Sequence, residues 1–246
     1  MPYLSDKIGG GTVKKASLYY FPYAGANTLS FKNLASYFPE EIEAVCIEYP
    51  GHGQRFEEPA AKSIKELAAD SLSVISREAP IYLAGHCLGA LAAYEAYHLL
   101  DKSGIRASGL IISGQGAPDS IISEHLQDMS EMELLSYLAA HGLMDPKMAD
   151  QRYRSFVSDL ILEPITSDSL LYDSYSNDWT ETVKSPVHIL YGCEDSRYDV
   201  KALERWSLFA SGGIRLYPFS GDHYFLRKNE KGYFQTIKQI IEKDVE

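Results

Sequence analysis

The chain has 246 residues, of which 45% are apolar and 23% are charged, a composition typical of globular proteins. This length can bury a sizeable core and fits one α/β domain with a small insertion. The formal net charge of −11 argues against nucleic acid and against an anionic membrane as partners.

The cysteine count and the hydropathy of the chain exclude further classes of protein. Cys46, Cys87 and Cys193 are too few and too scattered for a disulfide framework or a zinc site, so we expect no metal site. No stretch approaches the roughly 20 apolar residues of a membrane span, and residues 1–11 lack the apolar core of a signal peptide. We therefore expect a loose tail over residues 1–11, a cytoplasmic protein and a monomer.

Strands and helices alternate through the first half of the chain. The predicted strands are Ser17–Phe21, Glu43–Glu48, Ile81–Ala84 and Gly109–Ser113. The predicted helices are Leu29–Phe38, Ser63–Arg77 and a helix that runs from residue 88 to about Ser103. This alternation predicts a mostly parallel sheet with helices on both faces.

The alternation stops after the fourth strand. Residues 118–181 contain only helical patterns, such as Met129–Ala140 and Gln151–Leu162, with breaks predicted at Asp145-Pro146 and Glu163-Pro164. We interpret this stretch as a helical lid inserted over the strand ends of a single α/β domain spanning residues 1–246. The final predicted elements are strand Val187–Tyr191, helix Val200–Ala210, strand Ile214–Tyr217 and helix Gly232–Glu242.

The pentapeptide from Gly85 to Gly89 lies between a predicted strand and a predicted helix, which is the context that a nucleophile elbow requires. The two glycines leave room where the backbones of strand and helix approach closely. The turn exposes Cys87 at the carboxyl edge of the sheet. The N–H of Leu88 would meet a developing oxyanion at the helix N-terminus. Cys87 is therefore the candidate nucleophile.

A nucleophile at this position needs a base and a group that orients the base. Among seven histidines, His223 alone follows the last predicted strand and precedes the last helix, so it would emerge at the same sheet edge as Cys87. The other six fit structural roles better: His52 in a glycine-rich turn, His86 directed away from the nucleophile, His98 on the elbow helix, His125 and His141 in the lid, and His188 at the start of a strand.

The acid should follow another strand at this edge, and Asp195 is the best candidate. Glu194 and Asp199 are local alternatives, and capping of a helix is the structural alternative for Asp195. Asp222, next to the base, would point in the opposite direction on an extended loop. The order Cys87, Asp195, His223 is nucleophile, acid, base, which is the order of α/β-hydrolases.

A second oxyanion donor should come from the loop after the first strand. Its sequence, Phe21-Pro22-Tyr23-Ala24-Gly25-Ala26, contains small residues that let the backbone approach a substrate carbonyl. By position we choose the N–H of Ala24, with a plain turn as the alternative.

Taken together, these motifs resemble those of type II thioesterases, the stand-alone editing enzymes of nonribosomal peptide and polyketide synthesis. The resemblance rests on the Ala24 loop, the elbow, and three further segments: Tyr49-Pro50-Gly51-His52-Gly53-Gln54-Arg55-Phe56-Glu57-Glu58-Pro59, Gly192-Cys193-Glu194-Asp195 and Gly221-Asp222-His223-Tyr224-Phe225-Leu226. It spans nearly the whole core, whereas the lid matches in length and helical character more than in residues.

The resemblance implies an α/β-hydrolase fold and hydrolysis of acyl groups from the phosphopantetheine arm of an acyl or peptidyl carrier protein. The arm belongs to the substrate, so no separate cofactor is implied. Tyr23 and Arg55 are candidate substrate contacts, with anchoring of its own loop as the alternative for Arg55. Matches outside the elbow favour this family over a general esterase or lipase.

Cys87 departs from this family, which usually carries serine at the centre of the elbow. A cysteine acyl-enzyme is itself a thioester and stays reactive toward amines and hydroxyls. Three readings therefore remain open: a thioesterase with a Cys-His-Asp triad, an acyltransferase or cyclase that passes on the Cys87-bound acyl group, and a non-catalytic ligand-binding module. The sequence does not distinguish a natural cysteine from a replaced serine.

Overall fold

A six-stranded parallel sheet forms the centre of the protein. The computed structural model describes residues 13–245, apart from the side chains of residues 149, 151, 154 and 155, so the predicted tail over residues 1–11 lies outside the described residues. The strands are β1 (Ala16–Phe21), β2 (Ile42–Cys46), β3 (Ile81–His86), β4 (Gly109–Ser113), β5 (Val187–Gly192) and β6 (Ile214–Phe219), in the spatial order β2-β1-β3-β4-β5-β6. Because all neighbouring pairs are parallel, the loops that follow the strands meet at one edge of the sheet.

Every residue of β1, β3 and β4 is buried, which explains why these strands read as continuous apolar runs. The flanking helices are α1 (Ile64–Ser71), α2 (Leu88–Lys102), α3 (Glu131–Ala140), α4 (Arg154–Val157), α5 (Glu163–Asp173), α6 (Val200–Glu204), α7 (Phe225–Lys228) and α8 (Glu230–Val245). The predicted parallel sheet with flanking helices is thus confirmed. Among the described residues, no helix combines the length and apolarity needed to cross a bilayer.

Helix α2 begins directly after Cys87 and fixes the elbow. Twelve of its fifteen residues are buried, which holds the helix firmly against the sheet. Residues of α2 contact β1, β3 and β4, the three strands beside and beneath the elbow. A buried helix held against three strands gives the residue at its N-terminus a fixed position.

Several predicted helices are shorter or tighter than expected. The helix predicted over Ser63–Arg77 is α-helical only to Ser71 and continues as a 3₁₀ turn, Leu72–Val74. The segment Leu29–Phe38, predicted as one helix, forms two 3₁₀ turns, Thr28–Phe31 and Leu34–Tyr37. The N–H and hydroxyl of Ser36 both donate to the carbonyl of Asn33, an i to i+3 pattern that favours the tighter turn. The predicted helix Val200–Ala210 likewise changes to 3₁₀ geometry after α6, over Arg205–Leu208.

The lid lies between β4 and β5, where the described residues form helices and turns and no strand. The break predicted at Glu163-Pro164 is wrong, because α4, a π-helical segment (Ser158–Leu162) and α5 follow one another without interruption. In the π segment the N–H of Glu163 donates to the carbonyl of Ser158. This wider turn accommodates Pro164, which has no N–H to donate, in the first turn of α5.

The lid has a small apolar core of its own. Its buried members are Leu126, Leu134, Leu135, Leu138, Met144, Val157, Leu162 and Ile165, and Ala24 of the loop after β1 packs against this cluster. Lid and sheet therefore meet at the loop predicted to hold the second oxyanion donor.

Candidate active site

Cys87 occupies a strained backbone position at the end of β3. Its φ is 53° and its ψ is −119°, a combination that is costly for a residue with a side chain and is typical of functional turns. A Cβ at Gly85 would lie 2.1 Å from the carbonyl oxygen of Gly89, and one at Gly89 would lie 2.1 Å from that of Phe21. The Gly-X-Cys-X-Gly pattern is therefore required sterically, and it presents the thiol at the carboxyl edge of the sheet.

His223 and Asp195 meet at this edge, as the sequence predicts. The Nδ1 atom of His223 lies 2.8 Å from Oδ2 of Asp195, and the two side chains are 7% and 4% exposed. Because a carboxylate only accepts hydrogen bonds, Nδ1 carries the hydrogen and Nε2 keeps a free lone pair. For this buried Nε2 no hydrogen-bond partner is found in the part of the chain that the structure describes.

Two of the other acids considered for the site, Asp199 and Asp222, are directed elsewhere. Asp199 caps α6 by accepting the N–H of Ala202. Asp222 accepts from the N–H of Tyr224 and from Lys228, so it does point away from the base. Burial raises the pKa of Asp195, although the backbone N–H and the positive charge of Arg197 act in the opposite direction.

His86 packs against His223, the candidate base. Its ring centroid lies 4.8 Å from that of His223, and its Nδ1 is 2.9 Å from the hydroxyl oxygen of Ser113. Burial, and next the charge of Arg197, hold the pKa of His86 well below the ordinary value, so the ring is neutral and packs against His223 without competing for its proton. Both rings lie against Gly114, where a Cβ would come within 2.5 Å of His86.

The two predicted oxyanion donors flank Cys87. Leu88 is the first residue of α2, and its backbone N–H lowers the pKa of the Cys87 thiol. Ala24 lines the same pocket as Cys87. The next N–H in that loop, of Gly25, is taken by Asp168, whereas no partner of the Ala24 N–H is found among the described residues. The structure thus leaves the Ala24 N–H available.

A narrow pocket opens above the thiol. Its cavity volume is about 30 Å³. Its lining combines the Ala24 loop, the lid and the loops after β5 and β6: Ala24, Cys87, Ser123, Glu124, Leu126, Ser169, Tyr172, Arg197 and Tyr224.

Arg197 is the charged side chain of the pocket closest to Asp195, and the sequence motifs did not assign it to the site. Its side chain is 9% exposed, 3.7 Å from Glu124 and 3.9 Å from Asp195, and its Nε and Nη2 have no hydrogen-bond partner among the described residues. Burial raises the pKa of the Cys87 thiol, and the charge of Arg197 is the largest influence that lowers it. Its position could have indicated a role in the site, because Arg197 is a cation two residues after Asp195, in a loop already assigned to the site.

Two predicted substrate contacts lie outside this pocket. The ring of Tyr23 is buried edge-on against Phe31, His86 and Tyr224, and Tyr23 is not among the residues that line the pocket, so its contact with substrate stays a prediction. Arg55 takes the anchoring role that was left open. Its guanidinium donates to both carboxylate oxygens of Asp70 at 2.5 and 3.0 Å, to Glu58 at 2.6 and 2.9 Å, and to a main-chain carbonyl.

Comparison with known proteins identifies the family. The model of the thioesterase domain matches residues 16–243, so the chain belongs to the thioesterase domain family. It is 28% identical over 237 residues to the thioesterase TesA of Mycobacterium marinum, covering 91% of this chain and 93% of TesA. It is 26% identical over 238 residues to the phenyloxazoline synthase MbtB of Mycobacterium tuberculosis, covering 96% of this chain. The chain spans only 16% of the length of that synthase.

A solved structure gives the same fold. YbtT, described as a type II thioesterase from the yersiniabactin NRPS/PKS biosynthetic pathway, superposes with a TM-score of 0.79 at 24% identity, over 95% of each chain. The resemblance to thioesterases drawn from the motifs is therefore confirmed at the level of family and fold.

Proposed function

We propose that the chain is a stand-alone type II thioesterase that hydrolyses acyl groups from the phosphopantetheine arm of acyl or peptidyl carrier proteins in the cytoplasm. The observation that carries this proposal is the buried contact of 2.8 Å between His223 and Asp195 at the edge where the strained elbow presents Cys87. A histidine held in one tautomer at the same sheet edge as a buried thiol on a nucleophile elbow is typical of a covalent acyl-transfer enzyme.

In the first half-reaction Cys87 takes the acyl group. Nε2 of His223 accepts the thiol proton while the sulfur attacks the thioester carbonyl carbon. The negative charge that develops on the carbonyl oxygen is stabilised by the N–H groups of Leu88 and Ala24. The intermediate then breaks its bond to the pantetheine sulfur, which leaves with the proton held by His223.

In the second half-reaction water replaces the pantetheine thiol. His223 removes a proton from the water as its oxygen attacks the Cys87 thioester. The same two N–H groups stabilise the second oxyanion. Breakage of the bond between carbon and Sγ releases a free acid, and the proton returns to the Cys87 sulfur.

Proton transfer occurs during the attack in this mechanism. Burial raises the pKa of the Cys87 thiol despite the lowering by Arg197 and by the Leu88 N–H, which favours the thiol form at rest. General-base catalysis by His223 is therefore proposed in place of a preformed thiolate.

Two relatives support this substrate class. TesA carries the name thioesterase and matches over almost its whole length, as this chain does. YbtT belongs to a pathway in which an NRPS/PKS system assembles the product. By analogy with YbtT, which is described as a type II thioesterase, we propose that this chain acts in trans on carriers and as a monomer.

The experiment is a product analysis with an acyl carrier thioester, with and without an added amine or hydroxyl acceptor. The proposal predicts release of the free acid at the same rate in both. Release only as an amide or ester of the acceptor would replace it with an acyltransferase or cyclase, which a thioester acyl-enzyme also allows. Failure of Cys87 to react with any acyl thioester would favour a ligand-binding module.

A further inference from the structure

A lid carboxylate lies directly beneath the loop that holds the Ala24 N–H. Asp168, on α5, is 1% exposed, and its Oδ2 accepts the N–H of Gly25 at 2.8 Å. The donor and acceptor are 143 residues apart in the chain. This hydrogen bond ties the peptide that follows Ala24 to the lid.

The same carboxylate oxygen binds a buried histidine. Nε2 of His52 lies 3.0 Å from Oδ2 of Asp168, and Nδ1 of His52 lies 3.0 Å from the carbonyl oxygen of Pro50. Since carbonyl and carboxylate oxygens only accept, both ring nitrogens donate and the ring is an imidazolium. The imidazolium of His52 thus balances the charge of Asp168. This pair lies next to the place where the oxyanion of the proposed reaction develops. Both side chains are 2% exposed, and such a pair is retained only when each charge is well compensated.

Helix α5 also contacts this loop sterically. Gly25 has a φ of +73°, and a Cβ there would lie only 2.7 Å from Cβ of Ile165 on α5. The backbone of the loop therefore packs directly on the helix, with no side chain between them. Position and orientation of the peptide after Ala24 are thus set by α5 in two independent ways.

We propose that Asp168, supported by His52, is the positioning residue of the oxyanion hole, so that the lid completes the hole when α5 is seated on the Ala24 loop. This inference rests on the proposed function, because it takes the Ala24 N–H as an oxyanion donor. Its consequence is that the lid controls transition-state stabilisation as well as the shape of the acyl pocket. The thiol itself is not part of this contact.

The test separates the oxyanion hole from the thiol. Asp168→Ala and Asp168→Asn are compared with Asp173→Ala and Asp173→Asn. Asp173 is a carboxylate of the same helix, and its hydrogen-bond partners in the described part of the chain are the lid residues Gln127 at 2.7 Å and His125 at 3.0 Å. Two rates are followed at Cys87 by peptide mass spectrometry: acylation by a saturating acyl-pantetheine thioester, and alkylation by iodoacetamide. Alkylation develops no oxyanion, whereas acylation does.

Asp168→Ala is expected to slow acylation at saturation on the order of 100-fold, the scale of losing one oxyanion donor, and to leave alkylation unchanged. Asp168→Asn keeps an oxygen that can accept the Gly25 N–H. Its acylation rate should therefore lie between those of Asp168→Ala and the wild type. The two Asp173 variants should acylate at the wild-type rate.

Equal acylation by the Asp168 and Asp173 variants would overturn the inference, as would a parallel loss of alkylation in the Asp168 variants. A wild-type protein that is alkylated at Cys87 but never acylated would instead contradict the proposed function.

Discussion

The carboxylate of Asp195 lies 2.8 Å from Nδ1 of His223, across 28 residues of chain and two loops of the sheet edge. This contact fixes the tautomer of the imidazole and leaves Nε2 as the only ring nitrogen able to accept a proton. In the proposed mechanism it also places a negative charge where it would stabilise the imidazolium that forms when Cys87 is deprotonated.

Asp195→Asn tests this contact. The amide keeps the shape of the side chain but favours the wrong tautomer of His223, so kcat should fall by about 10³- to 10⁴-fold. Steady-state hydrolysis of an acyl-pantetheine thioester measures the effect. Asp199→Asn is the matched control in the same loop region. It alters the cap of α6, at a cost of about 1 kcal/mol or less in unfolding free energy, and should leave kcat unchanged. Similar losses of kcat in the two variants would contradict the role given to Asp195.

Arg197→Met tests the electrostatic effect of the buried cation on the thiol. Arg197 stabilises the Cys87 thiolate, so its removal should raise the thiol pKa further and slow iodoacetamide alkylation at pH values below that pKa. At high pH, where the thiol is ionised in both proteins, the two rates should converge. The measurement is the pH profile of alkylation at the Cys87 peptide.

Arg205→Met is the control for this profile. Arg205 is half exposed and pairs with Asp119 at 2.5 Å on the surface, outside the pocket. Arg205→Met should therefore show the same pH profile of Cys87 alkylation as the wild type. A profile of Arg197→Met that coincides with that of Arg205→Met would show that the buried cation does not act on the thiol.

Gly114→Ala tests the packing that supports the base. Gly114 and Gly104 both have positive φ, 56° and 78°, so alanine should cost each about 1 to 2 kcal/mol in unfolding free energy. Only at Gly114 does the added Cβ meet other atoms, within 2.5 Å of His86 and 3.1 Å of His223, whereas it meets nothing within 4 Å at Gly104.

The two alanine variants are compared by thermal unfolding and by kcat. Both should unfold more easily than the wild type, but only Gly114→Ala should lose activity, because only there does the methyl group displace the base. A loss of kcat in Gly104→Ala as large as in Gly114→Ala would mean that activity follows stability and not the position of His223.

Local patterns were sufficient to predict the elbow and the pairing of Asp195 with His223. The elbow depends on two glycines and a strand-to-helix switch that lie within a few residues. The pairing depends on parallel strands, whose following loops necessarily share one edge. The order of strands and loops along the chain was therefore enough to predict that Asp195 and His223 lie close together.

Long-range contacts could not be predicted in this way. Arg197 and Asp168 are ordinary charged residues in sequence, and their importance comes from burial beside the pocket and beneath the Ala24 loop. Tyr23 was assigned to substrate on its position in a motif, but the surrounding rings that bury it come from distant segments. The continuous helix through Pro164 depends on a π turn, which hydrophobic spacing does not reveal.

The central claim is that Cys87 carries the acyl group, and intact-mass spectrometry during reaction with an acyl carrier thioester tests it most directly. The wild type should show a transient adduct of the acyl mass at Cys87 that decays to free acid, and Cys87→Ala should form neither adduct nor acid. Cys87→Ser, with an oxygen ester in place of the thioester, should still form the adduct. Free acid released by Cys87→Ala at the wild-type rate, or an adduct located on another residue, would contradict the account.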